Sequence, residues 1–139
     1  MSPRAETDIE HVWRLLVDLV MDSRDGWRKQ VTEITGLPFS RVRALKRLVD
    51  GPRTLRELAA AMDTDAPAAT VAVNDLEERG LVVRETDPDD RRVKRVVLTT
   101  EGRRVYALLR KVKDTPPAAL AAINSKDAAT LRKILTRGE

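Results

Sequence analysis

Residues 54–99 read TLRELAAAMDTDAPAATVAVNDLEERGLVVRETDPDDRRVKRVVLT, and the parsing of this stretch decides the fold. Thr54-Leu55-Arg56-Glu57 has the form of a capping box. The threonine oxygen can accept from the backbone N–H three residues on while Glu57 reaches back, so a helix is expected to start here. Leu55, Leu58, Ala59 and Met62 then recur at the three-and-four spacing that gathers apolar side chains on one face. Asp63-Thr64-Asp65-Ala66-Pro67 interrupts that face. Asp65 suits an N-cap, and Pro67 is tolerated in the first turn of a second helix. That helix is expected to run to about Arg79 and to stop at Gly80, which enters the left-handed region without penalty. Within it Ala69, Ala72, Val73 and Leu76 share an inward side, leaving Pro67, Ala68, Thr70, Val71 and Asn74 on the other.

Two short helices joined by a tight turn, the second with small side chains on its outer face, fit the helix-turn-helix geometry that lays its second helix in a major groove. Beyond it, Leu81 to Thr86 and Val93 to Thr99 are β-branched runs on either side of Asp87-Pro88-Asp89-Asp90-Arg91-Arg92. That is hairpin chemistry with a charged tip, in other words a wing.

The set Leu58-Ala59, Thr70, Leu76-Glu77, Gly80-Leu81-Val82-Val83-Arg84, Asp87-Pro88-Asp89-Asp90-Arg91-Arg92, Leu98-Thr99 and Gly102 resembles the MarR family of bacterial winged helix-turn-helix transcription regulators. The resemblance is close over about residues 37–110 and rests on pattern alone in the outer helices. It implies a mostly α fold with a small β-hairpin wing, a winged helix-turn-helix with N- and C-terminal dimerisation helices. On that reading 1–139 is a single domain, with 1–36 and 100–139 a helical dimerisation region and 37–99 the DNA-binding lobe. The wing's Asp-x-Arg pair maps onto Asp90 and Arg92, the arginine entering a minor groove and the aspartate orienting it. Residues two apart on a ribbon share a side, and a carboxylate can hold a guanidinium in a fixed fork. Where the family often carries basic or long polar residues in its recognition helix, this chain has Ala66, Pro67, Ala68 and Val71. Base readout then falls to Thr70 and Asn74, with contacts to thymine methyls and DNA shape supplying the rest. The candidate DNA-binding residues are Thr54, Pro67, Ala68, Thr70, Val71, Asn74, Asp90, Arg91, Arg92 and Lys94. The implied partners are double-stranded DNA with a pseudo-palindromic operator, a second copy of the chain, and a small amphipathic or phenolic effector. No cofactor is implied.

With 139 residues the chain is of single-domain size, and with 42% hydrophobic but only 3% aromatic residues its core must be aliphatic. A formal charge of +4 and a pI near 9.8 suit a polyanionic partner. Between residues 41 and 56 Arg41, Arg43, Lys46, Arg47, Arg53 and Arg56 face a single acid, Asp50. They divide between a solvated helix face and phosphate contacts, which set register and affinity rather than sequence choice. From Arg79 to Arg95 six basic residues meet four acids, so the wing is no indiscriminate polycation. Charge that merely blunts the hairpin edges is the competing reading. The absence of cysteine excludes disulfides and thiol redox chemistry, and one histidine, His11, cannot assemble a zinc site in the usual way. There is no membrane-spanning run, and Met1-Ser2-Pro3-Arg4-Ala5-Glu6 lacks the apolar core of a signal peptide, so a cytoplasmic protein is expected.

Thr7-Asp8-Ile9-Glu10 is a second capping box and opens a long helix with a wide apolar stripe through Val12 or Trp13, Leu16, Val17, Leu19, Val20 and Trp27. The two tryptophans read as core or subunit-interface anchors, or as ligand-stacking groups. His11 reads as a solvated or structural residue, or as a pH sensor. Gly36-Leu37-Pro38-Phe39 breaks the pattern before a helix with Val42, Leu45, Leu48 and Val49 apolar. Thr99 is expected to cap a helix running to about Asp114, Thr115-Pro116-Pro117 to end it, Ala118 to Ile123 to re-form about a turn and a half, and Ser125 to cap the last helix. An enzyme is not expected, since the chain has no glycine-rich phosphate loop, no cysteine nucleophile and no serine in an elbow context. The alternative to a DNA-binding regulator is a winged-helix module that binds protein.

Overall fold

In the computed structural model, which describes residues 4–138, the reading stretch folds as its sequence dictates. The elements in order are α1 (Asp8–Thr35), α2 (Phe39–Leu48), β1 (Arg53–Thr54), α3 (Leu55–Ala61), α4 (Ala66–Glu78), β2 (Val82–Thr86), β3 (Lys94–Leu98) and α5 (Thr100–Ala107). A 3-10 helix (Leu108–Lys111), α6 (Ala118–Ala121) and α7 (Ser125–Thr136) follow. The chain is mostly helical with one small antiparallel sheet of order β1-β3-β2. It divides into two compact units, one formed by Trp27–Lys113 and one by the residues up to Gly26 together with those from Asp114 onward.

In the Trp27–Lys113 unit the core is aliphatic, as the composition requires. Val31, Leu45, Leu48, Leu58, Val73, Leu76, Val82 and Val96 are its largest fully buried side chains. An aromatic pair lies at its margin, where Trp27 meets Phe39 edge to face at 5.7 Å and the Arg28 guanidinium lies 4.8 Å from the Phe39 ring centre.

Both ends of the helix-turn-helix are closed by the same device. At the end of α3, Asp63 takes a φ of 52°, its N–H donates to the Ala60 carbonyl at 3.1 Å and the Thr64 N–H to the Ala59 carbonyl at 3.0 Å. At the end of α4, Gly80 takes a φ of 75°, its N–H donates to Glu77 at 3.0 Å and the Leu81 N–H to Leu76 at 2.9 Å. This is the paired hydrogen bonding of a Schellman stop, which turns the chain sharply while satisfying carbonyls the helix leaves open. Asp63 is tolerated there because a short polar side chain visits the left-handed region at modest cost. The start of α4 is capped as read, Asp65 Oδ1 accepting from the Ala68 N–H at 2.7 Å. At α3 the forward half of the box forms, Thr54 Oγ1 accepting from the Glu57 N–H at 3.1 Å, and the return bond from Glu57 is not seen among the described residues.

β2 and β3 pair from Val82 opposite Leu98 to Thr86 opposite Lys94, and β1 adds Arg53 opposite Val96. Strand β1 was not foreseen, because two residues are too few to show a period. The Thr7 box forms in both directions, with the Thr7 N–H donating to Glu10 Oε2 at 2.8 Å and the Glu10 N–H to Thr7 Oγ1 at 3.2 Å.

Three outer boundaries differ from those read in the sequence. α5 ends at Ala107 and tightens into the 3-10 helix, with Val112 already extended, where a helix to Asp114 was expected. The diproline at 116–117 excludes a helix and holds the residue before it extended, so the chain unwinds ahead of it. α6 stops two residues short of Ile123. The cap of α7 is Asn124, whose Oδ1 accepts from the Asp127 N–H at 2.8 Å, rather than Ser125. Asparagine is at least as good a cap as serine and stands one residue earlier. The beginning of the N-terminal stretch, Met1 to Pro3, lies outside the described residues.

Candidate nucleic-acid interface

The inward set of α4 is buried as read: Ala69, Ala72, Val73 and Leu76 are each no more than 2% exposed. The opposite set is outside. Pro67, Ala68, Val71 and Asn74 are exposed and Thr70 is half-buried, and Val71 stands out as a large apolar side chain left 58% exposed.

The hydrogen-bonding groups on this face are partly committed. Thr70 Oγ1 donates to the Ala66 carbonyl at 2.9 Å, one turn back, so the hydroxyl keeps only its acceptor capacity outward. Asn74 Oδ1 accepts from Arg84 Nη2 at 2.7 Å, and Arg84 Nη1 donates to Glu77 Oε1 at 2.8 Å. Arg84 sits on β2, so its guanidinium ties the wing to the exposed side of α4. No local signal in the sequence marks Arg84 and Glu77 for this role, because only the packing of a strand against a helix brings them together.

A second ionic cluster sets the helix. Asp75 takes Arg41 Nε of α2 at 2.9 Å and Arg79 Nε at 3.0 Å. The hydrogen bond from Arg41, then that from Arg79, holds the Asp75 carboxyl below the usual carboxylate range. The Arg79 half of this cluster was legible as an i,i+4 pair; the Arg41 half was not. Arg43 Nη2 donates to the Met62 carbonyl at 2.6 Å, closing the end of α3 from α2.

In the wing, Asp90 acts on the backbone. Its Oδ1 accepts from the main-chain N–H of Arg92 at 3.0 Å, and Asp87 Oδ1 accepts from the N–H groups of Asp89 at 2.8 Å and Asp90 at 3.3 Å. Among the described residues the Asp90 carboxylate and the Arg92 guanidinium form no ion pair. A short acidic side chain in a turn reaches the N–H two residues on more readily than it reaches a long side chain.

Of the twelve basic residues counted in the two charged stretches, half are engaged within the fold: Arg41, Arg43, Arg53, Arg79, Arg84 and Arg95. The other half, Lys46, Arg47, Arg56, Arg91, Arg92 and Lys94, are exposed, and among the described residues their side chains carry no hydrogen bond or ion pair. Thr54, at the start of α3, is half-buried and spends its hydroxyl on the cap.

In the other unit, α1 exposes Ile9, Val12, Trp13, Leu15, Val20 and Met21, and α7 exposes Ile134 and Leu135. An open cavity of about 370 Å³ lies among Leu16, Leu19, Val20, Arg24, Pro116 and Leu120, beside the hydrogen-bonded ion pair of Arg24 and Asp114. Among the described residues no helix is long and apolar enough to cross a membrane, and no group of acids or His11 is placed to hold a metal ion.

The MarR family profile matches residues 35–93. By sequence the chain is similar to the HTH-type transcriptional regulator YybA of Bacillus subtilis, 28% identical over 95 residues, which are 67% of this chain and 63% of that one. The chain spans 63% of the length of YybA and 31% of that of another curated relative, a putative transcriptional regulatory protein of Thauera aromatica. Among solved structures it resembles the transcriptional regulator BldR of Sulfolobus solfataricus, with TM-score 0.64 and 26% identity over 94% of this chain and 99% of that one. It also shares the fold of Sco3205 from Streptomyces coelicolor, a MarR-family transcriptional regulator solved in complex with DNA, with TM-score 0.64 and 24% identity over 96% of this chain and 88% of that one.

Proposed function

We propose that the chain, whose residues 35–93 match the MarR family profile and whose relatives include transcriptional regulators, is a homodimeric, sequence-specific DNA-binding regulator that represses by occupying its operator. The observation that carries this reading is the junction at Arg84. It binds the charged hairpin to the exposed face of α4, so helix and wing can address one duplex together. α4 enters the major groove with Pro67, Ala68, Thr70, Val71 and Asn74 outward, while Arg91, Arg92 and Lys94 follow the neighbouring minor groove and backbone. Thr54 and the N-terminal N–H groups of α3, with Lys46, Arg47 and Arg56, meet phosphates.

A second copy covers the apolar side chains of α1 and α7, and two-fold symmetry then sets the two recognition helices about 34 Å apart on a pseudo-palindromic site. A small amphipathic or phenolic effector is supported by the cavity beside Arg24 and Asp114, whose size falls in the range of small-molecule sites. It can release DNA only by binding two arrangements of the dimer unequally. The free cations on the reading lobe favour DNA over a protein partner.

Footprinting on the DNA flanking the protein's own gene tests specificity, symmetry and spacing at once. A protected site with two related halves one helical turn apart is expected. Binding that ignores sequence, or none at all, overturns the proposal.

A further inference from the structure

We infer that Arg84 is a specificity-positioning residue: by holding the oxygen of the Asn74 amide it makes Asn74 a donor toward DNA, so that Asn74 selects a keto base, guanine or thymine, over an amino base. The inference rests on the reading of α4 as the recognition helix and deepens it.

Arginine has N–H donors and no acceptor, so only Oδ1 of the Asn74 amide can face it, and the amide orientation follows from the chemistry of the pair. The bond is charge-assisted and 2.7 Å long, and the same guanidinium is held from its other nitrogen by Glu77 Oε1 at 2.8 Å. Asn74 and Glu77 are three residues apart and share a face of α4, so the planar fork spans both and is fixed by both. The Arg84 side chain is 23% exposed, which limits its freedom to swing away.

An asparagine that reads adenine uses both ends of its amide, accepting from N6 and donating to N7. Here the accepting end is already bonded to the Arg84 guanidinium, which carries a full positive charge, so a base amino group brought to the same oxygen meets a polarised, occupied acceptor and a like-signed neighbour. Nδ2 keeps both hydrogens. The guanidinium behind the amide makes them stronger donors, suited to guanine O6 and N7 or to thymine O4.

The test uses the full-length protein and a library of random-sequence DNA duplexes, with bound sequences counted for wild type, Asn74→Ala, Arg84→Met, Arg84→Lys and the Asn74→Ala/Arg84→Met double variant. The base position whose preference Asn74→Ala flattens is expected to be guanine or thymine in the wild type. Arg84→Met should move the ranking at that position toward adenine by about 5- to 150-fold, the discrimination that one well-made base contact supplies. Arg84→Lys keeps a donor for Oδ1 and should retain the keto preference, and in the Asn74→Ala background Arg84→Met should leave the ranking at that position unchanged. A merely structural arginine would leave the ranking at the Asn74-dependent position unchanged, whatever it did to affinity or to other positions, and that result overturns the inference. So does adenine at the Asn74-dependent position of the wild type, or the absence of any such position. These last two outcomes need no Arg84 variant and hold even if Arg84→Met does not fold. If wild type selects no sequence from the library, the regulator reading itself fails and the inference falls with it.

Discussion

Glycine-to-alanine at two positions should give opposite signs, and the structure supplies both magnitudes. Gly102 lies in the first turn of α5, where a Cβ would stand 2.1 Å from the Leu81 carbonyl oxygen and 3.0 Å from Leu98 Cδ2. The first of these neighbours is backbone, so it cannot rotate aside. Relief requires α5 and the start of the wing to part, which strains the Thr99 N–H to Leu81 carbonyl bond at 3.1 Å and the Thr99 hydroxyl to Gly80 carbonyl bond at 2.7 Å. Losing two such bonds costs roughly 1 kcal/mol each, and displacing packed neighbours adds about 1–3 kcal/mol. The helix preference of alanine returns at most about 1 kcal/mol, leaving a net loss near 2–4 kcal/mol. Gly26, inside α1, has nothing within 4 Å of its would-be Cβ, so Gly26→Ala should gain about 0.8–1 kcal/mol from helix propensity alone. Thermal unfolding at one fixed protein concentration reads both, at about 3–5 °C per kcal/mol for a chain of this size. A Gly102→Ala protein that melts as the wild type does would refute the packing of α5 on Leu81. A Gly26→Ala protein that melts lower would refute an unobstructed helix there.

Affinity for an operator duplex, followed by fluorescence anisotropy, should fall with salt, and replacing Arg56 or Lys46 by glutamine should reduce the log–log slope by about 1 for each phosphate no longer neutralised. A wild-type slope shallower than about 2 would be incompatible with several phosphates neutralised per protomer. The Asp75 carboxyl is held below its ordinary value of 3.8, so its stabilising effect is fully present above about pH 4 and disappears as pH falls through the lower folded value. Urea midpoints of wild type and Asp75→Asn should therefore differ by a constant amount at neutral pH and converge in acid; a gap that widens in acid would contradict the sign. Trp13 is 66% exposed on α1, and Trp13→Glu should convert the proposed dimer to a monomer in sedimentation while leaving the lobe folded by near-UV dichroism. Asp90→Ala should loosen the wing turn and lower affinity, with amide exchange rising at Arg92, whereas Arg92→Ala should lower affinity without that exchange signal.

The reading lobe was legible because its signals are local. Capping at Thr54 and Asp65, the buried set Ala69, Ala72, Val73 and Leu76, the stop at Gly80 and the turn from Asp87 to Arg92 each depend on residues within one or two turns of one another. What escaped was non-local. The clasp of Arg84 on Asn74 and Glu77, and of Arg41 on Asp75, joins residues 10, 7 and 34 apart, and no period in the sequence encodes such a meeting. The backbone bond of Asp90 escaped for a related reason. Sidedness along a ribbon shows that a carboxylate and a guanidinium can meet, but not that a nearer backbone N–H will take the carboxylate first.

These commitments bear on how the proposed regulator chooses its site. With the Thr70 hydrogen turned inward and the Asn74 oxygen held by Arg84, the outer face of α4 offers one amide donor pair, one hydroxyl acceptor and the apolar surfaces of Pro67, Ala68 and Val71. Apolar contact distinguishes thymine by its methyl group and little else, so few base pairs per half-site can be read directly. Discrimination must then come from positions that no side chain touches, through the cost of fitting the duplex to a helix and wing held at a fixed spacing. The Arg84 clasp and the Asp75 cluster are what fix that spacing. Rigidity between α2, α4 and β2 thus becomes part of sequence recognition: substitutions that loosen it should broaden the range of sequences bound before they weaken binding to the preferred one.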